Sequence, residues 1–236
     1  MKTGTFYGIG VGPGDPELLT LKACRILHSV DVIFAAASTK NEHSLAVNIA
    51  SDHIPEKTPV HQLSFPMTTN RQEAQKAWRS NAGIIYGYLE KGLNAAFLTL
   101  GDPMTYSTFG YISKHVKRID PNIAVEIIPG ITSYQAAAAR LSIPLVEGEE
   151  SLLIVSGAAG GDRLRQLSAK PENIVFMKAY RNVTDIRRAI EEAVIEYRCT
   201  GISKCSLPDE TIIQDIKEFE NRPPNYWTLI IAKQKK

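Results

Sequence analysis

The sequence predicts an α/β protein of two α/β domains, the first with a mostly parallel five-stranded sheet and the second with a mixed sheet. Three observations support this prediction. Short β-branched or aromatic runs alternate with helical patterns, which is typical of βα units. The runs of the first half are apolar almost throughout, as parallel strands covered on both faces are. The last three runs have connections too short for long helices, so antiparallel pairing is expected there.

Ten runs are predicted as strands. The first five are Thr5–Val11, Asp31–Ala37, Val60–Phe65, Asn94–Leu100 and Ala124–Ile128. A small-residue helix over Ser133–Leu141 then precedes the runs Ser151–Ser156, Asn173–Met177, Thr200–Cys205, Ile212–Ile216 and Tyr226–Ala232. Because the pattern of strand-like runs and helices changes after Pro129, we predict an N-terminal domain over residues 1–129 and a C-terminal domain over residues 130–236.

Two helices have clear end signals. The first begins after Asp15, a good N-cap, with Pro16 at its first position. Its predicted apolar row is Leu18, Leu21, Cys24 and Leu27. The second runs from about Arg71 to Lys91 and ends at Gly92, which suits a left-handed cap.

Composition excludes several classes of protein. With 44% hydrophobic and 22% charged residues the chain is ordinary globular protein, and a net charge of +2 does not favour nucleic acid as a partner. The three cysteines have no CxxC spacing, so neither a disulfide framework nor a thiolate metal site is expected. Neither a signal peptide nor a membrane-spanning run is recognisable. We expect a cytoplasmic protein without a bound metal.

The first candidate site is the glycine-rich turn from Gly8 to Asp15. It suggests a dinucleotide-binding loop, but the third required glycine falls on Pro13 or Asp15. The second strand also ends in alanines instead of the expected acidic residue. The turn permits close backbone approach, but not to a phosphate. A tight turn without any ligand is an equal alternative.

Two further turns follow predicted strands. In the segment Leu100 to Tyr106, Gly101 allows close approach and Asp102 places a carboxylate at the sheet edge where ligands bind in open parallel sheets. Taken alone, this turn favours the alternative that Asp102 caps the next helix. The segment Pro129 to Ser133 could likewise only cap a helix. Three glycine-bearing strand ends on one sheet nevertheless favour a shared pocket.

In this order, the segments GxGPGDPELLTLKA at the start, LxLGDP near residue 100 and PGITS near residue 130 resemble the class III, tetrapyrrole-type S-adenosylmethionine methyltransferases. The resemblance covers nearly the whole chain. It implies a homodimer of chains with two α/β domains, and a folded S-adenosylmethionine bound in a trough between the domains. The cofactor positions that it implies are Pro13, Leu100, Gly101, Asp102, Thr105, Thr132, Ser133, Met177 and Cys205.

Within that family, the segments Gly101–Phe109, Ala139–Gly148 and Met177–Arg181 most resemble members that methylate the C-20 meso carbon of precorrin-2 or cobalt-factor II in cobalamin biosynthesis. The short, insertion-poor chain is more similar to the anaerobic branch, which favours the cobalt-loaded substrate. The alternatives are another ring position, a ribosomal RNA, a protein substrate, or a regulator that binds the cofactor without catalysis.

Methyl transfer from a sulfonium to carbon is an in-line displacement, which needs positioning at roughly 3–3.5 Å and the exclusion of water. The meso carbon must then lose a proton, so a weak base within hydrogen-bond reach would help. We predict Asp102 and Tyr106 for substrate orientation and proton removal, although the Tyr106 ring could simply pack on the next helix. The substrate carries many carboxylates, for which Lys178 and Arg181 are the predicted partners.

Overall fold

The structure is a computed structural model that describes residues 2–38, 44–66, 68, 70–221 and 225–235. The chain forms two compact units, Met1–Thr132 and Ser133–Lys236. The division predicted from the sequence lies three residues earlier, after residue 129.

The first unit contains a five-stranded sheet in which every pairing is parallel. Its strands are β1 (Phe6–Gly10), β2 (Val32–Ser38), β3 (Val60–Phe65), β4 (Ala95–Thr99) and β5 (Val125–Ile128). Their order in the sheet is β3-β2-β4-β1-β5. The predicted parallel sheet is therefore confirmed. Since β1 lies between β4 and β5, the three glycine-bearing turns follow three adjacent strands.

Helices cover the sheet of the first unit. They are α1 (Leu21–Leu27), α2 (Leu45–Ala50), α3 (Arg71–Leu89) and α4 (Phe109–Ile119). Successive residues of β4 point to opposite faces. Phe97 joins one buried cluster with Phe6 and Phe109, and Leu98 joins another with Ile9 and Leu27. The predicted end of the long helix is confirmed, because Gly92 has φ +83° just beyond α3.

Strand β3 differs from the prediction of a continuously buried strand. It lies at the edge of the sheet, and four of its six side chains are exposed: Val60, His61, Gln62 and Ser64. Only Leu63 and Phe65 are buried. An edge strand has a neighbour on one side only, which the apolar count of a single run does not reveal.

The first predicted helix is two elements. A single 3₁₀ turn spans Pro16–Leu18, and α1 begins after Thr20, whose hydroxyl accepts a hydrogen bond from the Ala23 amide at 3.2 Å. The predicted apolar row was therefore wrong at Leu21, which is 90% exposed. The extended backbone between the two elements interrupts the helical period on which that row depended.

Asp15 caps the 3₁₀ turn, as predicted, because its Oδ1 accepts from the Glu17 amide at 2.9 Å. Asp15→Ala is therefore expected to lower the free energy of unfolding by about 1 kcal/mol, measured by urea denaturation. Asp15→Asn is also a good cap and should retain most activity. A stable but inactive Asp15→Asn enzyme would show that this carboxylate has a functional role.

The second unit begins with α5 (Ser133–Leu141) and contains a mixed five-stranded sheet. Its strands are β6 (Leu152–Ser156), β7 (Asn173–Met177), β8 (Tyr197–Ser203), β9 (Thr211–Ile213) and β10 (Thr228–Gln234). Their order is β6-β7-β10-β8-β9, with one parallel pair, β6 and β7, and three antiparallel pairs. The predicted mixed sheet is confirmed, although β9 ends at Ile213, before the predicted Ile216.

Two further helices, α6 (Asp162–Arg165) and α7 (Val183–Glu191), lie in the second unit. Ile186 of α7 packs with Phe176 of β7 and Ile230 of β10 in the buried core of this unit. Among the helices that the structure describes, none is both long and apolar enough to cross a membrane.

Candidate cofactor site

The three glycine-bearing turns of the first unit are packed against one another. The Gly101 amide donates to the Gly12 carbonyl at 2.7 Å, and Gly12 donates back to Gly101 at 3.3 Å. A Cβ placed on Gly130 would lie 2.2 Å from the Gly101 oxygen, and one on Gly10 would lie 2.5 Å from the same atom. These contacts leave no room for side chains. The turns after β1, β4 and β5 can therefore meet only because glycines stand at these positions.

Glycines of the first turn thus serve packing inside the protein. A Cβ on Gly8 would lie 2.3 Å from the ring of Phe109, the first residue of α4. The close backbone approach expected of this loop is, at Gly8 and Gly10, an approach to the protein itself. Pro13, the predicted cofactor contact of this turn, is buried.

Asp102 ties two of the turns together. Its Oδ1 accepts from the Met104 amide at 2.8 Å and from the Thr105 hydroxyl at 3.4 Å, and its Oδ2 accepts from the Gly130 amide at 3.1 Å. The alternative that Asp102 caps the next helix is wrong, since the first amide of α4, at Phe109, donates to the Ser107 hydroxyl instead. The structure therefore brings Asp102 and Thr105 together at the turn that follows β4.

Space remains beside Gly101. This residue has φ +71°, and the atoms nearest to an added Cβ are the Ile131 oxygen and the Thr132 Cα, both at 4.0 Å. Thr132 is buried, and Leu100 packs against the apolar core of this unit. An added Cβ at Gly101 would therefore make only ordinary van der Waals contacts, so the turn at this buried residue leaves room for the close approach of a ligand to its backbone.

Tyr106 ends the same turn in a strained conformation. Its φ is +50°, in the left-handed region that costs a residue with a side chain roughly 1–2 kcal/mol. The side chain is not deeply buried, because the residue is 48% exposed. Strain of this kind is often found at functional sites, where the surrounding structure holds it in place. The left-handed backbone of Tyr106 therefore fixes the direction in which its side chain leaves the turn, and about half of the residue is exposed to solvent.

The second unit brings other predicted residues to one edge of its sheet. Since β10 is antiparallel to β7 and β8, the ends of β7 and β8 lie at the same edge as the start of β10. At this edge the Ser133 hydroxyl donates to Met177 Sδ at 3.7 Å. Cys205 is buried two residues beyond β8, and burial raises the pKa of its thiol. A protonated thiol is a weak nucleophile, so Cys205 is suited to contact and not to covalent chemistry.

Lys178 and Arg181, the side chains predicted to bind carboxylates of the substrate, differ in environment. Lys178, directly after β7, has φ +57°, and burial lowers the pKa of its ammonium group. Arg181 is exposed, and its guanidinium lies 5.1 Å from the centre of the Tyr180 ring. Tyr180 in turn contacts Tyr226, with ring centres 5.3 Å apart. The structure therefore places both cations close to the edge at which β7 ends.

Sequence reasoning missed an ion pair in this unit. Arg140 Nε donates to Glu210 Oε1 at 2.6 Å, and Glu210 Oε2 accepts from the Ser206 amide at 2.9 Å. Arg140 and Glu210 are 70 residues apart in the sequence. Arg140 lies in the segment Ala139–Gly148 that carries the resemblance, but nothing in that segment indicates Glu210 as its partner. No local signal could have indicated their contact.

In proteins with an open parallel sheet, ligands bind beyond the carboxyl ends of the strands, which is where these glycine-bearing turns lie. Within the described residues, no three His, Cys, Asp or Glu side chains are grouped so that they could hold a metal ion. A family model described as Tetrapyrrole (Corrin/Porphyrin) Methylases matches residues 5–219. The chain belongs to this family, so the predicted resemblance is confirmed.

Relatives cover the chain almost from end to end. The cobalt-precorrin-2 C(20)-methyltransferase of Salmonella typhimurium is 33% identical over 233 residues, which are 98% of this chain and 97% of the relative. The precorrin-2 C(20)-methyltransferase of a Sinorhizobium species is 33% identical over an alignment of 240 positions, which covers 97% of this chain and 95% of the relative. The solved structure of a cobalt precorrin-4 methyltransferase has a TM-score of 0.74 at 19% identity, covering 97% of this chain and 94% of that one. This last similarity supports the fold.

Proposed function

We propose that this protein transfers a methyl group from S-adenosylmethionine to the C-20 meso carbon of cobalt-factor II in cobalamin biosynthesis. The observation that carries the proposal is the end-to-end similarity to relatives whose names specify C-20 of a precorrin-2 ring. These relatives differ in whether their names include cobalt. The insertion-poor sequence of this chain favours the cobalt-loaded ring over precorrin-2.

The predicted contacts become the proposed cofactor site. In the first unit they are Pro13, Leu100, Gly101, Asp102, Thr105 and Thr132, and in the second they are Ser133, Met177 and Cys205. The absence of a clash for an added Cβ at Gly101 supports the first set, and the contact between Ser133 and Met177 supports the second. We also propose that the enzyme is a cytoplasmic homodimer.

Asp102 and Tyr106 are proposed to act together on the substrate. S-adenosylmethionine supplies an activated methyl group, so the protein has to orient the ring and accept the meso proton. Both oxygens of Asp102 accept backbone amides, so this carboxylate fixes the turn. Tyr106, the residue after Thr105, is half exposed; its hydroxyl is proposed to orient the ring, and its phenolate form would accept the meso proton. Lys178 and Arg181 are proposed to bind ring carboxylates.

The function is tested by supplying the two rings separately. The protein is incubated with ¹³C-methyl-labelled S-adenosylmethionine and either cobalt-factor II or precorrin-2, and the product is analysed by mass spectrometry and carbon NMR. We expect one added methyl group, at C-20, on the cobalt-loaded ring. A methyl group at another position, or none on either ring, would refute C-20 transfer. Methylation of precorrin-2 alone would refute the choice of cobalt.

A further inference from the structure

Glu210 joins a helix end to a loop of the second unit. One of its oxygens accepts from Arg140 near the end of α5, and the other accepts from the backbone amide of Ser206. Its side chain is only 15% exposed, whereas that of Arg140 is 61% exposed. A carboxylate that accepts both a guanidinium and a backbone amide makes two charge-assisted hydrogen bonds, which are stronger than neutral ones. Glu210 therefore restrains the backbone at Ser206.

The restrained backbone has an uncommon conformation. Lys204 has φ +53° and Ser206 has φ +63°, both in the left-handed region that residues with side chains rarely adopt. Between them lies Cys205, a proposed cofactor contact that is 5% exposed. A left-handed residue persists only where its surroundings hold it, and the bond from the Ser206 amide to Glu210 is such a restraint.

The same helix also reaches the other proposed contacts of this unit. Ser133, the first residue of α5, donates from its hydroxyl to Met177 Sδ. Arg140 lies in the last turn of α5 and holds Glu210. One rigid helix thus connects Ser133 and Met177 at its beginning with the loop of Cys205 at its end.

We propose that Arg140 and Glu210 are positioning residues, which set the affinity for S-adenosylmethionine by holding Cys205 and Ser206 in place. The proposal rests on the cofactor contacts proposed above. Neither residue takes part in the chemical step. Their loss should therefore raise Kd and KM for the cofactor and leave kcat at saturating cofactor nearly unchanged.

Substitutions of Glu210 separate its two bonds. Glu210→Ala removes both, and we expect the Kd for S-adenosylhomocysteine, measured by calorimetry, to rise about 5- to 30-fold, the factor that corresponds to the cost of a left-handed residue. Glu210→Gln keeps an oxygen for the Ser206 amide but loses the oxygen that accepts from Arg140, so its Kd should rise less than that of Glu210→Ala. Adding Ser206→Gly to Glu210→Ala should restore part of the affinity, because glycine adopts positive φ without this cost.

The matched control is Glu191→Ala. It removes another ion pair of the second unit, between Arg187 and Glu191 at 2.7 Å on α7, and should leave Kd unchanged. If Glu210→Ala does not fold, Arg140→Ala replaces it, because that change removes the anchor of Glu210 and should also raise Kd.

Two results would overturn the proposal. One is an unchanged Kd in the folded Glu210→Ala or Arg140→Ala protein, and the other is an equal rise in Glu191→Ala. The wild-type protein distinguishes this failure from a failure of the proposed function. If wild type binds S-adenosylhomocysteine and the variants bind it equally well, only the positioning role is wrong. If wild type does not bind it, the proposed cofactor site is wrong.

Discussion

Replacing Tyr106 by phenylalanine is expected to lower turnover by about 10²-fold or more, the usual scale for loss of a general base. The substitution removes only the hydroxyl. The ring remains, and the left-handed backbone at φ +50° is equally available to both residues. Since the turn after β4 is unchanged, the affinity for S-adenosylhomocysteine should stay as in wild type. Single-turnover methylation and calorimetry on the same preparation measure the two quantities.

Tyr111→Phe is the matched control for this experiment. Tyr111 lies on α4 and is 50% exposed, close to the 48% of Tyr106, but it is not a proposed site residue. Its loss of a hydroxyl should leave turnover unchanged. If the Tyr106 ring only packs, phenylalanine will be nearly silent. Because that ring is half exposed, Tyr106→Ala should lower the free energy of unfolding by less than the removal of a buried ring does, which costs about 3–5 kcal/mol. A fully active Tyr106→Phe enzyme would leave Asp102 as the remaining candidate.

The sheets could be predicted from the sequence because strands covered by helices need apolar side chains on both faces. The rule succeeded for β4, whose residues Ala95, Phe97 and Leu98 are all buried. It failed for β3, because position at a sheet edge depends on which strands pair. It failed differently at Leu21, where two extended residues change the helical register. Local patterns determine the elements, and long-range pairing determines which of their faces are buried.

The site was predictable to the extent that it consists of turns. Parallel strands place their carboxyl ends at one edge, so the turns after β1, β4 and β5 could be expected to meet. That Asp102 would accept from the Gly130 amide could not be derived, because the bond joins residues 28 apart through the order of strands. The restraint by Glu210 was hidden for the same reason. Such contacts depend on the tertiary structure and produce no periodic pattern in the sequence.

Gly101→Val is expected to abolish binding of S-adenosylhomocysteine in a protein that still folds. The nearest atoms to an added Cβ are 4.0 Å away, at van der Waals contact distance, so the Cβ of the valine would not clash with the protein. The side chain would occupy the position at which the cofactor is proposed to approach the Gly101 backbone. The left-handed φ of +71° adds strain, which should lower the free energy of unfolding by at least about 1–2 kcal/mol. Calorimetry measures the Kd for S-adenosylhomocysteine, and a melting curve measures the loss of stability that the strain causes.

Gly148→Val separates strain from the loss of a ligand site. Gly148 has φ +56° and no atom within 4 Å of an added Cβ, so its valine variant carries the same kind of strain away from the proposed contacts. We expect both variants to melt earlier than wild type and only Gly101→Val to lose binding. Equal affinity in Gly101→Val and wild type would remove the turn after β4 from the cofactor site. Equal loss in both variants would assign the effect to strain alone, so binding at Gly101 is established by the difference between them.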